Sequence, residues 1–557
     1  MQYLPPYMRR AAGVLAGAAL LAMLPTPADA CTSLIATKGA TVDGSTLVSY
    51  AADSHTLYGE LYSQPAADHA PGAMRDVVEW DTGKLLGQIP EVAHTYATIG
   101  NMNEHGLTIA ESTWGGRHEL ADSTGLIDYG SLIYIALQRA RTAREAIDVM
   151  TGLVRDYGYY SEGESFSIAD PDEAWIMEMI GKGGKSKGAV WVARRVPDGY
   201  ISGHANHSRI HQFPLNDKEN CLYSPDVIDF ARQQGYYKGS DKDFSFSRAY
   251  AVYDSGALRG CDGRVWAWYN KHADDMDRYL PWVLEGRGDV LPLWVKPSKP
   301  VSARDLQAMM RDHFEDTPLD MTKDVGAGPY SVPYRWRPLT YEVDGKEYTH
   351  ERAIATQQTG FSFVSQMRGD AAEPMRGVLW FGVDDANTCV YVPVYSCVTE
   401  APYEFAPGNG DLYNISWDAA FWVNNYVANQ AYNRYSQMIP DIRRVQTAIE
   451  DSLASEVAAF YATVPSMEPE AARTLLRNHT NWWAHKYVKQ YKALGDYLLV
   501  KYLDGNVKRE RDGQFARTPD GMPEYPEFPG YDSRYYRSIA TDPAGGERLR
   551  TVEVPQQ

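Results

Sequence analysis

The chain has 557 residues, of which 44% are hydrophobic and 23% are charged, so it carries enough apolar material for a large folded core. Its formal net charge is −18 and its isoelectric point is near 5.2. An acidic surface is repelled by nucleic-acid phosphates and by anionic lipid. The composition therefore excludes a disordered protein and argues against nucleic acid as a partner.

The first thirty residues have the three parts of a secretory signal peptide. Two arginines end a basic segment, residues 11–24 are apolar, and the tripeptide Ala28-Asp29-Ala30 fits the small-x-small rule of signal peptidase. The apolar run is shorter than the ~20 residues that a membrane-spanning helix needs. We therefore expect a signal peptide over residues 1–30, a secreted periplasmic or extracellular protein, and a mature chain that starts at Cys31 and does not insert into the membrane.

A β-hairpin is predicted directly after the signal peptide. The sequence CTSLIATKGATVDGSTLVSYAADS has two runs rich in Thr, Val, Ile and Leu, separated by the turn signal Asp43-Gly44. A second extended stretch covers residues 94–112. Apolar residues then recur at spacings of three and four over residues 129–157, which predicts a helix.

The later segments indicate an α+β protein with packed antiparallel sheets. Strand signals recur in SFSIADPDEAWIMEMIG, AVWVARRVPDGYISGHAN, GFSFVSQM, GVLWFGV and CVYVPVY, each bounded by Gly, Pro or Asp. Beyond residue 410 the pattern changes, because residues 416–462 and 468–503 contain few Gly or Pro and have helical periodicity. We expect a main domain over residues 31–410 and a helical C-terminal extension with a tail over residues 411–557.

An N-terminal cysteine could supply both a nucleophile and its base. A thiol with a pKa of ~8.5 would stand beside an α-amine with a pKa of ~7.7–8.0, so part of the amine is unprotonated at neutral pH. Two other readings of Cys31 stay open. It could be the acylated residue of a lipoprotein, although Ala28 stands where a leucine is expected, or an inert or disulfide-bonded thiol. A Cys221–Cys261 bridge also stays open.

The order of several motifs resembles the dipeptidase A family of cysteine dipeptidases, which belongs to the N-terminal-nucleophile hydrolases. The motifs are CTSLIATKGATVDGSTLVSYAADSH, ESTWGGR, DYGSLIYIALQRARTAREAI, GESFSIADPDEAWIMEMIGKG, WVARRVPDGYISGHANHSRI, FSRAYAVYDSGALRGC, GAGPYSVPYRWRPLTYEVDGKEYTHERAIATQQTGFSFVSQMR and LWFGVDDANTCVYVPVY. The similarity covers nearly the whole mature chain. It implies a four-layer αββα core, exposure of the cysteine by self-cleavage or signal peptidase, and hydrolysis of dipeptides without a metal.

The resemblance assigns roles to individual residues. Cys31 matches the family nucleophile, and Asp53 matches the acidic residue that holds the α-amine. Asn206 matches the amide donor for the oxyanion of the tetrahedral intermediate. Arg209 is a candidate for orienting a substrate carboxylate through its bidentate fork. Many relatives have Arg shortly before the acidic residue, but Tyr50 stands there in this chain, so the resemblance leaves open how the amine and thiol are tuned. The segment Tyr50-Ala51-Ala52-Asp53 itself resembles one secreted branch of the family.

The remaining polar clusters favour neither a metal nor a cofactor. His204, His207 and His211 are close in sequence, but they follow a strand signal and lack the helical spacing of an HExxH motif. We therefore expect no metal and no cofactor, and small peptides as substrates. Two alternatives remain: a hydrolase of non-peptide amides, like penicillin V acylases and bile-salt hydrolases, and a lipid-anchored surface protein without activity.

Overall fold

The computed structural model describes residues 31–184 and 186–554. The predicted signal peptide, residues 1–30, lies outside the described residues. Within the described ranges helices and strands are mixed along the chain, which confirms the α+β class. No helix in these ranges combines the length and the apolar character that crossing a bilayer requires.

The strands of the described ranges are β1 (Thr32–Ala36), β2 (Thr46–Asp53), β3 (Ser63–Gln64), β4 (Ala67–Asp68), β5 (Met74–Val78), β6 (Leu85–Pro90), β7 (His94–Thr95), β8 (Thr98–Ile99), β9 (Met102–Asn103), β10 (Thr108–Gly115), β11 (Gly163–Ala169), β12 (Ala174–Gly181), β13 (Ala189–Arg195), β14 (Ile201–His204), β15 (Cys221–Tyr223), β16 (Trp294–Val295), β17 (Thr340–Val343), β18 (Lys346–Thr349), β19 (Thr359–Met367), β20 (Gly377–Val383), β21 (Val392–Tyr395), β22 (Glu510–Arg511) and β23 (Gln514–Phe515). The helices are α1 (Tyr129–Arg139), α2 (Ala143–Tyr157), α3 (Val227–Gln233), α4 (Phe246–Tyr250), α5 (Gly263–His272), α6 (Leu280–Glu285), α7 (Ala303–Met309), α8 (Ala420–Asn433), α9 (Tyr435–Thr463), α10 (Pro469–Lys501) and α11 (Ser533–Ala540).

Two large antiparallel sheets form the centre of the structure. One has seven strands in the order β16-β14-β1-β2-β19-β20-β21, and the other has eight in the order β15-β13-β12-β11-β10-β9-β8-β3. Thr32 of β1 is opposite Ala51 of β2, which confirms the predicted hairpin. On the other side of β1, Ser33 is opposite His204 of β14. The start of β1 and the ends of β2 and β14 therefore meet at one end of the sheet.

The two sheets face each other, and polar side chains connect them. Ser33 Oγ of the seven-stranded sheet lies 2.8 Å from Ser167 Oγ of the eight-stranded sheet. The His204 ring lies between the sheets, with Nδ1 2.6 Å from Ser112 Oγ and Nε2 2.8 Å from Ser167 Oγ. Burial lowers the pKa of His204 to about 3, so the imidazole is neutral. The neutral His204 ring therefore connects the two sheets through its hydrogen bonds with Ser112 and Ser167.

Helices cover the outer faces of both sheets. Ile147 of α2 shares an apolar core with Phe166 and Trp175 of the eight-stranded sheet. On the seven-stranded sheet, Thr480 of α10 donates to the Pro393 carbonyl of β21 at 2.9 Å. The expectation of a single helix over residues 129–157 is wrong, because α1 ends at Arg139 and a new helix begins after Thr142. Thr142 Oγ1 caps that helix by accepting the Glu145 backbone N–H at 3.3 Å.

The C-terminal helices α8, α9 and α10 confirm the helical character predicted from residues 416–462 and 468–503. They belong to the same apolar core as the seven-stranded sheet, since Ile449, Leu476 and Tyr491 pack with the sheet residues in one cluster. A division of the chain at residue 410 stays a prediction. All five cysteines are free thiols, so the Cys221–Cys261 bridge is not formed.

Glu450 of α9 is the main polar anchor of this helical layer. Its carboxylate is 3% exposed and forms ion pairs with Arg304 and Arg311 at helix α7. It also accepts the Tyr391 backbone N–H at 3.1 Å, next to β21. The neighbouring Asp451 pairs with the same Arg304 at 2.9 Å, but its side chain is 66% exposed.

This contrast gives a matched pair of variants. Glu450→Ala should lower the free energy of unfolding by about 3–5 kcal/mol, because it leaves the Arg311 guanidinium, 13% exposed, without its carboxylate and the Tyr391 backbone N–H without its acceptor. Asp451→Ala should cost less than about 1 kcal/mol, because water screens an exposed pair. Urea unfolding of both variants measures the difference, and equal losses would show that the buried carboxylate does not anchor the layer.

Candidate active site

Cys31 stands at the point where the two sheets and the loop after β14 meet. Its side chain is buried, at 6% exposure. The sulfur lies 3.4 Å from Tyr50 Oη of β2. The Asp53 backbone also forms a hydrogen bond with the Cys31 sulfur. The Cys31 carbonyl accepts from Arg264 Nη1 at 2.8 Å. The β1–β2 register thus brings the thiol to the end of β2.

Asp53 is buried at that end of β2. Its carboxylate accepts from Arg352 Nη2 and from Thr359 Oγ1, each at 2.7 Å. Thr359 is held there because it is the residue opposite Asp53 in the β2–β19 pairing. Burial raises the pKa of Asp53 from 3.8 to about 6, although Arg352, the Thr359 hydroxyl and Arg264 each lower it. Asp53 is therefore mostly ionised at neutral pH, although burial disfavours its charged form.

Asn206 follows β14 in a left-handed conformation, with φ of 55°. Its backbone N–H donates to Ser112 Oγ at 3.2 Å, and its Nδ2 donates to the Thr113 carbonyl at 2.5 Å. Its Oδ1 accepts from Arg264 Nη2 at 2.9 Å and from Arg352 Nη1 at 3.1 Å. Because both arginines donate to Oδ1, the orientation of the amide is fixed. Its NH₂ group points toward Thr113 and has a second N–H that can donate.

Arg264 and Arg352 connect the three candidate residues into one site. Arg264 joins Cys31 to Asn206, and Arg352 joins Asn206 to Asp53. Arg264 is fully buried at the first turn of α5, and burial together with the charge of Arg352 lowers its pKa to about 10. It remains a cation at neutral pH. The site therefore contains two positive charges close to a buried carboxylate.

The thiol of Cys31 is neutral in this environment. Burial raises its pKa well above the ordinary value, and the negative charges of Glu111 and Asp53 raise it further. A buried thiol without help from a base is a poor nucleophile. Attack by Cys31 therefore requires a group that removes its proton during the reaction.

Arg209 lies away from this centre, behind β14. Its guanidinium donates to the Gly203 and Pro292 carbonyls and, at 3.3 Å, to the Tyr269 hydroxyl. Its side chain is 2% exposed. These contacts hold β14 to the segment before β16, and the role in binding a substrate carboxylate stays a prediction.

The three histidines of the sequence motif diverge in the structure. His204 contacts serines between the sheets, as described above. His207 Nδ1 lies 2.9 Å from an Asp262 carboxylate oxygen, and His211 Nδ1 lies 3.1 Å from Ser245 Oγ. The three rings thus have separate hydrogen-bond partners.

A cavity of about 250 Å³ adjoins Arg352. Its lining includes His55, Arg335, Trp336 and Arg337 as well as Arg352. Because Arg352 also contacts Asp53 and Asn206, one guanidinium links the cavity to the candidate site. The lining also includes the carboxylate of Glu351, which pairs with Arg335 at 3.3 Å. Three arginines against this one carboxylate leave an excess of positive charge, which suits an anionic group such as a carboxylate.

Peptidase family C69 matches the chain over residues 30–448, which is more than half of its length. The chain belongs to peptidase family C69. It is also similar to a "Probable dipeptidase" of Latilactobacillus sakei, with 23% identity over 81% of this chain and 91% of the relative. A "Probable dipeptidase" of Salmonella dublin is 23% identical over 66% and 81% of the two chains, and a "Dipeptidase A" of Lactobacillus helveticus is 22% identical over 77% and 86%.

Sequence reasoning missed both arginines of this C69 site. Arg264 directly precedes the buried run Val265-Trp266-Ala267-Trp268, and Arg352 directly precedes the buried segment 353–355. Burying an arginine costs free energy unless its guanidinium meets carboxylates or carbonyls. An arginine directly beside a predicted buried run is therefore the sequence signal from which both residues could have been predicted.

The raised pKa of Asp53 makes the stability of this C69 peptidase depend on pH in a specific direction. A carboxyl with a higher pKa in the folded state stabilises the fold at low pH, and the contribution is lost as the pH rises through the folded pKa. The free energy of unfolding of the wild type, relative to Asp53→Asn, should therefore fall by roughly 3 kcal/mol between about pH 4 and pH 6. Denaturant unfolding across this window measures it. A relative stability that rises over the same window would mean that Arg352 outweighs burial.

Proposed function

We propose that this C69 peptidase is a secreted cysteine dipeptidase whose N-terminal nucleophile is Cys31, freed by removal of residues 1–30. The observation that carries the proposal is the convergence of Cys31, Asp53 and Asn206 on two shared guanidinium groups. The names of the similar proteins support a dipeptide substrate. The packing of two facing sheets between helices supports the αββα fold of N-terminal-nucleophile hydrolases.

The proposed reaction begins with substrate binding beside Arg352. A free carboxylate of a dipeptide would occupy the cavity of about 250 Å³, where the arginine side chains lie. This cationic lining favours a short peptide with a charged end over an apolar acyl amide. The scissile carbonyl would then lie between the Cys31 sulfur and the Asn206 amide.

The α-amine of Cys31 would accept the thiol proton as sulfur attacks the carbonyl carbon. Asp53, ionised above about pH 6, would hold the amine in place. One N–H of Asn206 Nδ2 is already bonded to the Thr113 carbonyl, and the second would donate to the oxyanion. The α-ammonium would return this proton to the amide nitrogen as the intermediate collapses, which releases the C-terminal amino acid and leaves the N-terminal residue as a thioester on Cys31. Water would then attack the thioester, give one proton to the α-amine, and release the N-terminal amino acid as that proton returns to the Cys31 sulfur.

The test of the proposed function compares two forms of the protein that differ only at the N-terminus. One starts at Cys31, and the other retains a single residue before it. The first form should hydrolyse dipeptides, and the second should be inactive until that residue is trimmed, because its amine is blocked as an amide. Penicillin V serves as the parallel non-peptide amide, and we expect slower hydrolysis of it. Equal specific activity of a stable, untrimmed form would contradict the amine's role.

Two variants of Asn206 separate oxyanion stabilisation from positioning. Asn206→Ala removes the N–H donor and the oxygen that Arg264 and Arg352 share, whereas Asn206→Asp keeps an oxygen for both arginines and replaces the donating NH₂ with a second carboxylate oxygen. Both should lower kcat by about 100- to 1000-fold with little change in KM, the cost of losing one oxyanion donor. Steady-state kinetics on a dipeptide measures this. Near-normal kcat in Asn206→Asp would show that the residue only positions the arginines.

A further inference from the structure

A second cavity lies between helices, apart from the candidate active site. Its volume is about 370 Å³, which is within the range of roughly 300–1,000 Å³ of small-molecule sites. Its lining comes from the last turn of α5, from α7, from residues 311–315 and from α9. Within the described ranges it shares no lining residue with the cavity beside Arg352.

The lining of this second cavity is strongly charged. It contains four cationic and three carboxyl side chains, and its apolar member is Ala308. An apolar ligand would leave these charges without solvent and without partners, so the cavity suits a ligand that is itself charged. The question is which of the charged side chains are available to it.

Part of this charge is already paired. Glu450 forms ion pairs with Arg304 and Arg311. Glu315 accepts the His313 backbone N–H at 2.8 Å, and its Oε1 lies 3.3 Å from His313 Nδ1. Three charged side chains of the lining have no ion pair in the described part of the chain: Lys271, Asp312 and Arg443.

Arg443 of α9 has a guanidinium that is fixed but only partly used. Nη1 donates to the Asn387 carbonyl and, at 2.5 Å, to Gln446 Oε1, and Nη2 donates to Asn387 Oδ1. These bonds fix the plane of the group. Among the described residues nothing accepts from Nε–H or from the second N–H of Nη2, and these two form a fork that matches a carboxylate.

Asp312 has one carboxylate oxygen without a partner. The residue is 7% exposed, and its Oδ2 accepts the Phe314 backbone N–H at 2.9 Å, whereas no hydrogen bond reaches Oδ1 from the described residues. Burial and the charge of Glu315 raise the pKa of Asp312 from 3.8 to about 6, so the group is mostly ionised at neutral pH. A carboxylate in such a place is unfavourable unless a donor or a cation meets it.

The three unpaired groups match the charges of an acidic amino acid. The α-ammonium and the α-carboxylate share one carbon, so they need two opposite charges that are close together. Asp312 and Lys271 meet this need, since they act on each other electrostatically. The carboxylate of the ligand side chain then falls to Arg443. The net charge of +1 on the three groups complements the net charge of −1 on the amino acid.

We propose that the second cavity binds a free acidic amino acid, glutamate or aspartate. Asp312 binds the α-ammonium, Lys271 the α-carboxylate and Arg443 the side-chain carboxylate. The binding is non-covalent. Because Cys31 takes no part in it, the proposal goes beyond the proposed function and does not depend on it.

Isothermal titration calorimetry of the protein that starts at Cys31, with L-glutamate as the probe, tests the site. Lys271→Gln, Asp312→Asn and Arg443→Gln should each weaken binding by roughly 10- to 100-fold, as expected for loss of a hydrogen bond between charged groups. Arg444→Gln is the matched control, because this next residue of α9 is 64% exposed, pairs with Asp441 at 3.6 Å and lies outside the lining. Its affinity for L-glutamate should equal that of the parent.

Two analogues of the probe test which group each side chain binds. L-glutamine lacks the side-chain charge, and N-acetyl-L-glutamate lacks the α-ammonium. Each should bind the parent protein about 10-fold more weakly than L-glutamate does. The difference between L-glutamine and L-glutamate should disappear in Arg443→Gln, and the difference between N-acetyl-L-glutamate and L-glutamate should disappear in Asp312→Asn.

Thermal unfolding checks that each variant is folded. Lys271 is exposed and forms no hydrogen bond with the described residues, so Lys271→Gln decides the test even if Arg443→Gln does not fold. Absence of L-glutamate binding at up to about 10 mM, or unchanged affinity in folded Lys271→Gln, would overturn the site. Binding that is lost only in Arg337→Gln would also overturn it, because it would place L-glutamate in the cavity beside Arg352. Since no substrate is turned over, the result is independent of whether the protein hydrolyses dipeptides.

Discussion

The candidate site depends on two buried guanidinium groups that share one amide oxygen. Arg264 and Arg352 both donate to Asn206 Oδ1, and their remaining donors reach the Cys31 carbonyl and the Asp53 carboxylate. Two cations so close together in a buried place are unfavourable unless acceptors compensate for them. The same contacts that meet this requirement fix the positions of Cys31, Asp53 and Asn206 relative to one another.

The sheet register explains why these groups can meet. β1 starts where β2 and β14 end, so Cys31, Asp53 and the loop with Asn206 emerge at the same end of the seven-stranded sheet. The facing sheet supplies the carbonyl of Thr113 to the amide and the carboxylate of Glu111 to Tyr50. A site between two sheets excludes water, and this burial raises the pKa of the Cys31 thiol, so the thiol is unreactive at rest. Its reactivity therefore depends on the group that accepts its proton.

The sequence predicted the parts of the structure that depend on local patterns. The hairpin at Cys31, the α+β class and the C-terminal helices follow from periodicity and turn residues, whereas the break between α1 and α2 was missed because both helices bury faces on the same sheet. Asp53, Asn206 and Arg209 came from family resemblance, whereas Cys31 also followed from the signal-peptide pattern. Arg264 and Arg352 were missed because their partners are far away in sequence and depend on how the sheets pack. The carbonyl acceptors of Arg209 are a tertiary property of the same kind, so its contacts could not be predicted either.

The central claim is that Cys31 forms a covalent bond to the substrate, and trapping of the acyl-enzyme tests it most directly. The trimmed protein would be mixed with a dipeptide, quenched in acid within its turnover time, and digested for peptide mass mapping. The account predicts that the N-terminal amino acid of the substrate is attached to the peptide that begins with Cys31. Attachment to another residue, or continued turnover of the dipeptide by Cys31→Ala, would contradict it.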